Sequence, residues 1–143
     1  MTETLIGLKD LERKLKKLDG AVSEKVLRSA VMNASTPAFK AIKAAAPVGK
    51  KAHRTHKGNL VAPGFLRRSI KRFSRIRHGR TRSWAAASIG VRAEAYYGLQ
   101  FVELGTKKMR ARPWFVQAFK SQQKRIEQRF IQQLRAKIMR ASR

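Results

Sequence analysis

The stretch Ala95–Lys120, AYYGLQFVELGTKKMRARPWFVQAFK, constrains the fold more than any other part of this chain. Six of the eleven aromatic residues fall inside it: Tyr96, Tyr97, Phe101, Trp114, Phe115 and Phe119. Tyr97, Phe101 and Leu104 are spaced four and three apart, which predicts a short helix with one apolar face. Gly105 follows where a helix commonly ends in a left-handed residue, a conformation glycine adopts without steric penalty. A basic linker, Lys107–Arg112, then delivers Pro113. Proline has a fixed φ and lacks an N–H that the first helical turn would leave unpaired, so it suits a helix start. The stretch therefore predicts helix, glycine stop, basic loop, proline start and helix, with its aromatics placed for packing.

Charge sets what surrounds this segment. The 143 residues carry 34 Lys and Arg against 8 Asp and Glu, a formal net charge of +26. Residues 50–82 hold 12 Lys or Arg and no acid; residues 107–143 hold 12 with a single acid, Glu127. Residues 1–49 are closer to ordinary, with 9 basic and 5 acidic side chains. A compact domain so unbalanced repels itself, and a polyanion relieves that cost. Nucleic acid, met through its phosphates, is the expected polyanion. Zinc-ligand spacing, zipper heptads and RNA-reading aromatic motifs are all missing, so phosphate contact without base readout is expected.

Other function classes are disfavoured. The length suits one domain spanning residues 1–143. No apolar run approaches the length of a membrane span, and residues 1–8 lack a secretory pattern. The absence of cysteine removes disulfides and thiolate metal sites. His53, His56 and His78 sit in basic stretches without carboxylate neighbours and are read as solvated loop residues, so neither metal nor cofactor is expected. Asp10 and Glu12 are the one close carboxylate pair, on a leucine-rich helix. Glu103, flanked by Phe101, Val102 and Leu104, is expected to form a salt bridge with Arg110 or Arg112. No catalytic set emerges, and the chain is read as a non-enzyme.

Taken in order, Leu8, Leu11, Leu15 and Leu18 predict an amphipathic helix closing near Asp19-Gly20. A second helix is expected over Ser23–Ala46, with Ser23 as N-cap, a kink or split near Ser35 caused by Pro37, and an end at Pro47 and Gly49. Residues 48–63 are expected to form an exposed basic loop. Partial alternation over Leu66–Ile76, a turn at His78-Gly79-Arg80, and the Ser83–Arg92 stretch predict a hairpin around residues 66–92. Pro113 to Ala141 is expected to be one long closing helix, with Phe115, Phe119, Ile126, Phe130, Leu134 and Ile138 on one stripe. The fold class is α+β: long N-terminal helices, a small antiparallel sheet and a long C-terminal helix.

The order of residues in the organising segment also resembles a known family. Tyr97, Phe101, Glu103, Gly105 and Thr106, followed by Ala111, Arg112, Pro113 and Trp114, resemble the motif of small head–tail joining or tail-completion proteins from the necks of long-tailed bacteriophages. Pro63-Gly64-Phe65-Leu66-Arg67-Arg68-Ser69-Ile70 resembles the family's passage from helix into sheet, which makes Lys50–Ala62 look like a basic insertion. Leu104 and Trp114 stand where the family often has other bulky apolar residues.

The resemblance implies a structural virion protein at the head–tail junction, assembled in the host cytoplasm. It implies a homo-oligomeric ring around the DNA channel, in the tail-completion layer. The implied partners are further copies of the chain, a stopper, a tail terminator, the tail tube and non-specifically bound phage DNA, with no membrane. Lys50, Lys51, Arg54, Lys57, Arg75, Arg77, Arg80, Arg82, Lys107, Lys108 and Arg110 are the expected DNA- or partner-facing residues. Charge and size alone also allow a monomeric, sequence-nonspecific nucleic-acid-binding protein of ribosomal or nucleoid type. That alternative requires no pairing of the Glu103–Thr106 and Ala111–Pro113 motifs.

Overall fold

The computed structural model describes residues 2–55 and 57–143, so His56 lies outside the described residues. The fold is mixed helix and strand, as the sequence predicts. In chain order the elements are α1 (Thr2–Lys16), α2 (Gly20–Ala34), α3 (Thr36–Ala45), β1 (His53–Arg54), β2 (Leu60–Val61), α4 (Phe65–Ser69), β3 (Ile70–His78), β4 (Ser83–Val91), a 3-10 turn at Ala93–Ala95, α5 (Tyr96–Leu104), α6 (Phe115–Ser121) and α7 (Gln123–Ala141). They fall into two compact units, each assembled from separate stretches of chain.

The first unit comprises Met1–Pro37, Phe73–Ser88 and Lys124–Arg143. Its core is built by the leucine face of α1, the small-residue face of α2 and the stripe of α7: Leu11, Val26, Ala30, Leu134 and Ile138, flanked by Leu15, Leu27, Phe130 and Ile131. Ala30 is fully buried, so its size sets how closely the helices approach. The helix is interrupted at Ser35, between α2 and α3, as Pro37 predicts. Proline cannot donate to the carbonyl four residues back, that of Asn33. The Arg129 Nε on α7 donates to that carbonyl at 3.0 Å, and Asn33 Nδ2 reaches Gln133 Oε1 at 3.2 Å. The turn end of the β3–β4 hairpin belongs to this unit. Arg28 Nε donates to Ser74 Oγ at 3.0 Å, and His78 Nδ1 lies 3.2 Å from Glu24. Gly79 donates to the Arg82 carbonyl at 2.8 Å; a Cβ there would stand 2.7 Å from that oxygen, so the turn requires glycine.

The second unit comprises Ala38–Arg72 and Ile89–Gln123. Ile42, Ala46 and Ile70 form its buried centre, with Phe39, Ile89, Val91, Trp114, Phe115 and Ala118 packed against them. Arg67 donates to the Ala46 carbonyl at 3.2 Å and closes the end of α3. Phe39 carries two cations on its ring, Lys43 at 4.9 Å and Arg72 at 5.1 Å.

Four expectations are corrected. Helix α2 starts at Gly20 rather than at a Ser23 cap, because the Asp19 carbonyl accepts the Ser23 N–H at 2.8 Å and draws the turn in earlier. Phe65–Ser69 is helical, not strand. Gly64 at φ 79 turns the chain, and the Ser69 hydroxyl returns to the Phe65 carbonyl at 2.7 Å, so the strand begins only at Ile70. The expected loop contains a small antiparallel pair, His53 opposite Val61 and Arg54 opposite Leu60. The closing helix is two helices, broken at Gln122, whose N–H turns back to the Phe119 carbonyl at 3.0 Å. The cause is packing. The stripe before the break serves the core around Ile42, and the stripe after it serves the core around Leu11.

Candidate functional site

The motif Tyr97–Trp114 builds one tight device in the second unit. Helix α5 ends at Gly105, whose φ of 76 and ψ of 176 are open to glycine almost alone. A Cβ here would stand 2.6 Å from the Ala111 nitrogen and 2.8 Å from the Met109 carbonyl. That closeness lets Thr106 and Met109 pair, with N–H to carbonyl distances of 2.8 and 3.3 Å, while the Thr106 hydroxyl accepts the Lys108 N–H at 3.3 Å. The Arg112 N–H then donates to the Val102 carbonyl at 2.8 Å and ties the returning chain to α5.

Glu103 completes the device in a way the sequence alone does not suggest. Its carboxylate accepts the backbone N–H of Phe115 at 2.9 Å and of Val116 at 3.1 Å. These are orphan donors of the first turn of α6, where Trp114 at the N-cap supplies no side-chain bond. The expected salt bridge to Arg110 or Arg112 is replaced by a helix cap, since a carboxylate aimed at a helix N-terminus satisfies two donors and meets the positive end of the dipole. Both arginines are exposed. Pro113 sits just before the start of α6, and Trp114 packs into the core edge-to-face on Phe115, 5.5 Å between centroids.

The apolar stripe of α5 is also corrected. Tyr97, Phe101 and Leu104 share a face as predicted, yet that face is turned outward: Phe101 is 48% and Leu104 70% exposed. Tyr96, 55% exposed, and Gln100 lie on the same side, and no residue of α5 is fully buried. Gly98, Leu99 and Val102 form the inner side; Gly98 approaches Leu66 closely enough that a Cβ would make ordinary contact at 3.7 Å. Tyr97 and Phe101 meet edge-to-face at 6.4 Å, and the Tyr97 hydroxyl lies 3.3 Å from His53 Nε2. These three residues border a cavity of about 620 Å³ whose other wall is Arg54, Thr55, Lys57 and Asn59 of the β1–β2 hairpin, with Glu94 at its rim.

The expected cationic residues divide between the units. Lys50, Lys51, Arg54, Lys57, Lys107, Lys108 and Arg110 are exposed on the second. Arg54 is partly committed, donating to the Gly58 carbonyl at 3.0 Å. Arg75 and Arg77 lie with Lys71 and Phe73 on the exposed side of β3, and Arg80 and Arg82 stand at its turn in the first unit. Arg75 covers the Phe73 ring at 5.0 Å, and Trp84, half exposed, stands 3.2 Å from where a Cβ on Gly79 would be. The ion pairs among the described residues draw their acids from Asp10, Glu12 and Glu24 alone, so nearly all of this charge is unbalanced within the chain.

A family model described as "Bacteriophage HK97-gp10, putative tail-component" matches residues 9–105, ending at the glycine of the turn. The chain belongs to the HK97-gp10-like family. Searches of curated proteins and of solved structures gave no match. The family is one of phage tail structural components rather than enzymes, which makes the chain a tail-component structural protein of the virion. No described helix is long and apolar enough to cross a membrane. Among the described residues no group of three or more His, Cys, Asp or Glu side chains is placed to hold a metal ion.

Proposed function

We propose that this member of the HK97-gp10-like family is a ring-forming subunit of the phage neck, in the tail-completion layer, with DNA passing through the ring. The two compact units act together as one head–tail joining domain, with residues 48–63 as a basic appendage. The observation that carries the DNA-channel reading is the outward placement of Arg75, Arg77, Arg80 and Arg82 in a stretch, residues 50–82, that contains no acid. Such a surface attracts phosphates of any sequence and reads none, which suits a conduit. The other expected partners are the stopper, the tail terminator and the tail tube, with assembly in the host cytoplasm.

The test has two parts. Light scattering on nucleic-acid-free protein reads the mass in solution across concentration and salt. Retention on DNA of random sequence reads phosphate contact. A ring-sized or concentration-dependent oligomer with salt-labile, sequence-independent retention is the expected result. A strict monomer that binds nucleic acid would overturn the ring reading and leave sequence-independent nucleic-acid binding as the function of this surface.

A further inference from the structure

The outer face of α5 is chemically unlike the rest of the chain. None of the 34 Lys and Arg residues falls within residues 93–106, AEAYYGLQFVELGT, whereas two of the eight acids do. One of these, Glu103, is consumed as the cap of α6. The other, Glu94, is exposed and belongs to none of the ion pairs among the described residues. Beside it Tyr96, Phe101 and Leu104 present apolar surface to solvent on one side of the helix. In a chain of net charge +26, this is an apolar face whose own segment carries no cation; at its edge the unpaired Glu94 lines the cavity that Arg54 and Lys57 also border.

The side chains of this helix face carry no cation of their own, so Phe101 and Leu104 gain nothing from a phosphate. What complements it is a surface that is cationic and partly apolar. The remainder of this same chain is such a surface, with Phe73, Trp84 and Met139 exposed among its cations. We infer that the α5 face, with Glu94, Tyr96, Phe101 and Leu104, docks onto the basic surface of a second copy of the chain. This inference rests on the ring reading above and assigns the surface that closes the ring. The contact joins unlike faces of the two copies. Contacts between unlike faces propagate from copy to copy and close into rings when the rotation permits.

The experiment uses Leu104→Lys and Glu94→Lys, both at exposed positions, in the full-length chain. Far-ultraviolet circular dichroism verifies the fold, and sedimentation velocity across a concentration series reads association. Each substitution places a cation against the partner's cations. The expected result is a rise of at least about tenfold in the concentration needed for association, with retention on DNA unchanged. Mixing the Leu104→Lys variant with wild type is the second reading. A copy with a disabled α5 face still offers its basic surface, so it ends growing assemblies and lowers their mean mass. Wild-type assemblies that keep their mass in the mixture would overturn docking between unlike faces. Association unaffected by either substitution would overturn the α5 assignment while leaving the ring reading standing. A wild-type chain that never associates would overturn both. A marked gain in DNA retention with association intact would assign the face to DNA and sink the inference.

Discussion

Replacing Glu103 by alanine tests whether the turn after α5 rests on a helix cap or on an ion pair. The carboxylate serves two N–H groups of α6, one part-buried at Phe115 and one exposed at Val116. A lost cap costs typically about 1 kcal/mol, and hydrogen bonds to a charged group contribute about 1.5–3 kcal/mol. Interaction with the helix dipole adds roughly 0.3–1 kcal/mol. Water can replace the exposed bond at Val116, so the sum is discounted to about 2 kcal/mol for Glu103→Ala. Glu103→Gln keeps a carbonyl acceptor but loses the charge and is expected to cost about half as much. For a chain of this size, about 2 kcal/mol corresponds to a fall of about 6–8 °C in Tm. Urea unfolding of the three proteins, followed by circular dichroism, gives the comparison. Arg112→Ala is the decisive control. Its side chain is exposed, and only its backbone N–H holds α5, so its cost should stay below about 0.5 kcal/mol. Equal losses for Glu103→Ala and Arg112→Ala would refute the cap and restore the ion pair.

Other perturbations separate the remaining claims. Gly105→Val forces a branched side chain into a glycine-only conformation, 2.6 Å from the Ala111 nitrogen. It should cost more than about 3 kcal/mol or prevent soluble expression, and wild-type unfolding would show that the turn does not depend on glycine. Reversing Arg75, Arg77, Arg80 and Arg82 to Glu should flatten the salt dependence of DNA retention by up to about 0.9 for each phosphate that is no longer neutralised. An unchanged slope places the DNA-binding surface elsewhere. Trp114→Phe removes an indole N–H that is buried without a hydrogen-bond partner, but it also removes packing volume; the two effects oppose, and the net change in urea unfolding should lie within about 1 kcal/mol. On α1, hydrogen bonds from Lys14 and Arg13 hold the Asp10 carboxyl below its usual range, as Lys16 does for Glu12. A depressed folded value means that the stabilisation is present above about pH 4 and is lost as pH falls through the lower folded value. Asp10→Asn should therefore make the helix signal in an acid titration less dependent on pH; an unaltered profile would show that these pairs do not couple to α1.

The local rules are legible wherever one residue type decides the backbone. Pro37 splits a helix, Gly105 stops one, and the leucine spacing of α1 and the stripe of residues 126–138 find their core. What periodicity does not reveal is which way an apolar face points. The stripe of Tyr97, Phe101 and Leu104 has the same spacing as a buried one, and spacing reports only that the residues share a side. Direction is set by what the opposite side must do. Gly98, Leu99 and Val102 already fill the inner contact, which leaves the larger residues outside. The break at Gln122 is hidden for a related reason: one continuous pattern of apolar residues serves two different cores. Glu103 is illegible because a charge count near the segment suggests an arginine partner, whereas the open N-terminus of a helix that begins twelve residues later is a matter of tertiary placement.

These differences share a cause that bears on function. In a chain with this excess of positive charge, each acid has many cations within reach, so simple proximity predicts an ion pair for all of them. The fold uses the two acids of residues 93–106 differently, one on a helix terminus and one, Glu94, at the edge of an apolar face with no cation of its own segment beside it. Residues 93–106 lack Lys and Arg while residues 50–82 carry 12 and no acid, which gives the chain two kinds of segment, adjoining where Arg54 and Lys57 share a cavity with Glu94 and Phe101. One kind attracts phosphates; the other attracts cations and apolar groups. A monomeric nucleic-acid binder has use for the first alone and would leave Leu104 and Phe101 in water with nothing to cover them. A subunit that must hold its own copies together while DNA passes has use for both.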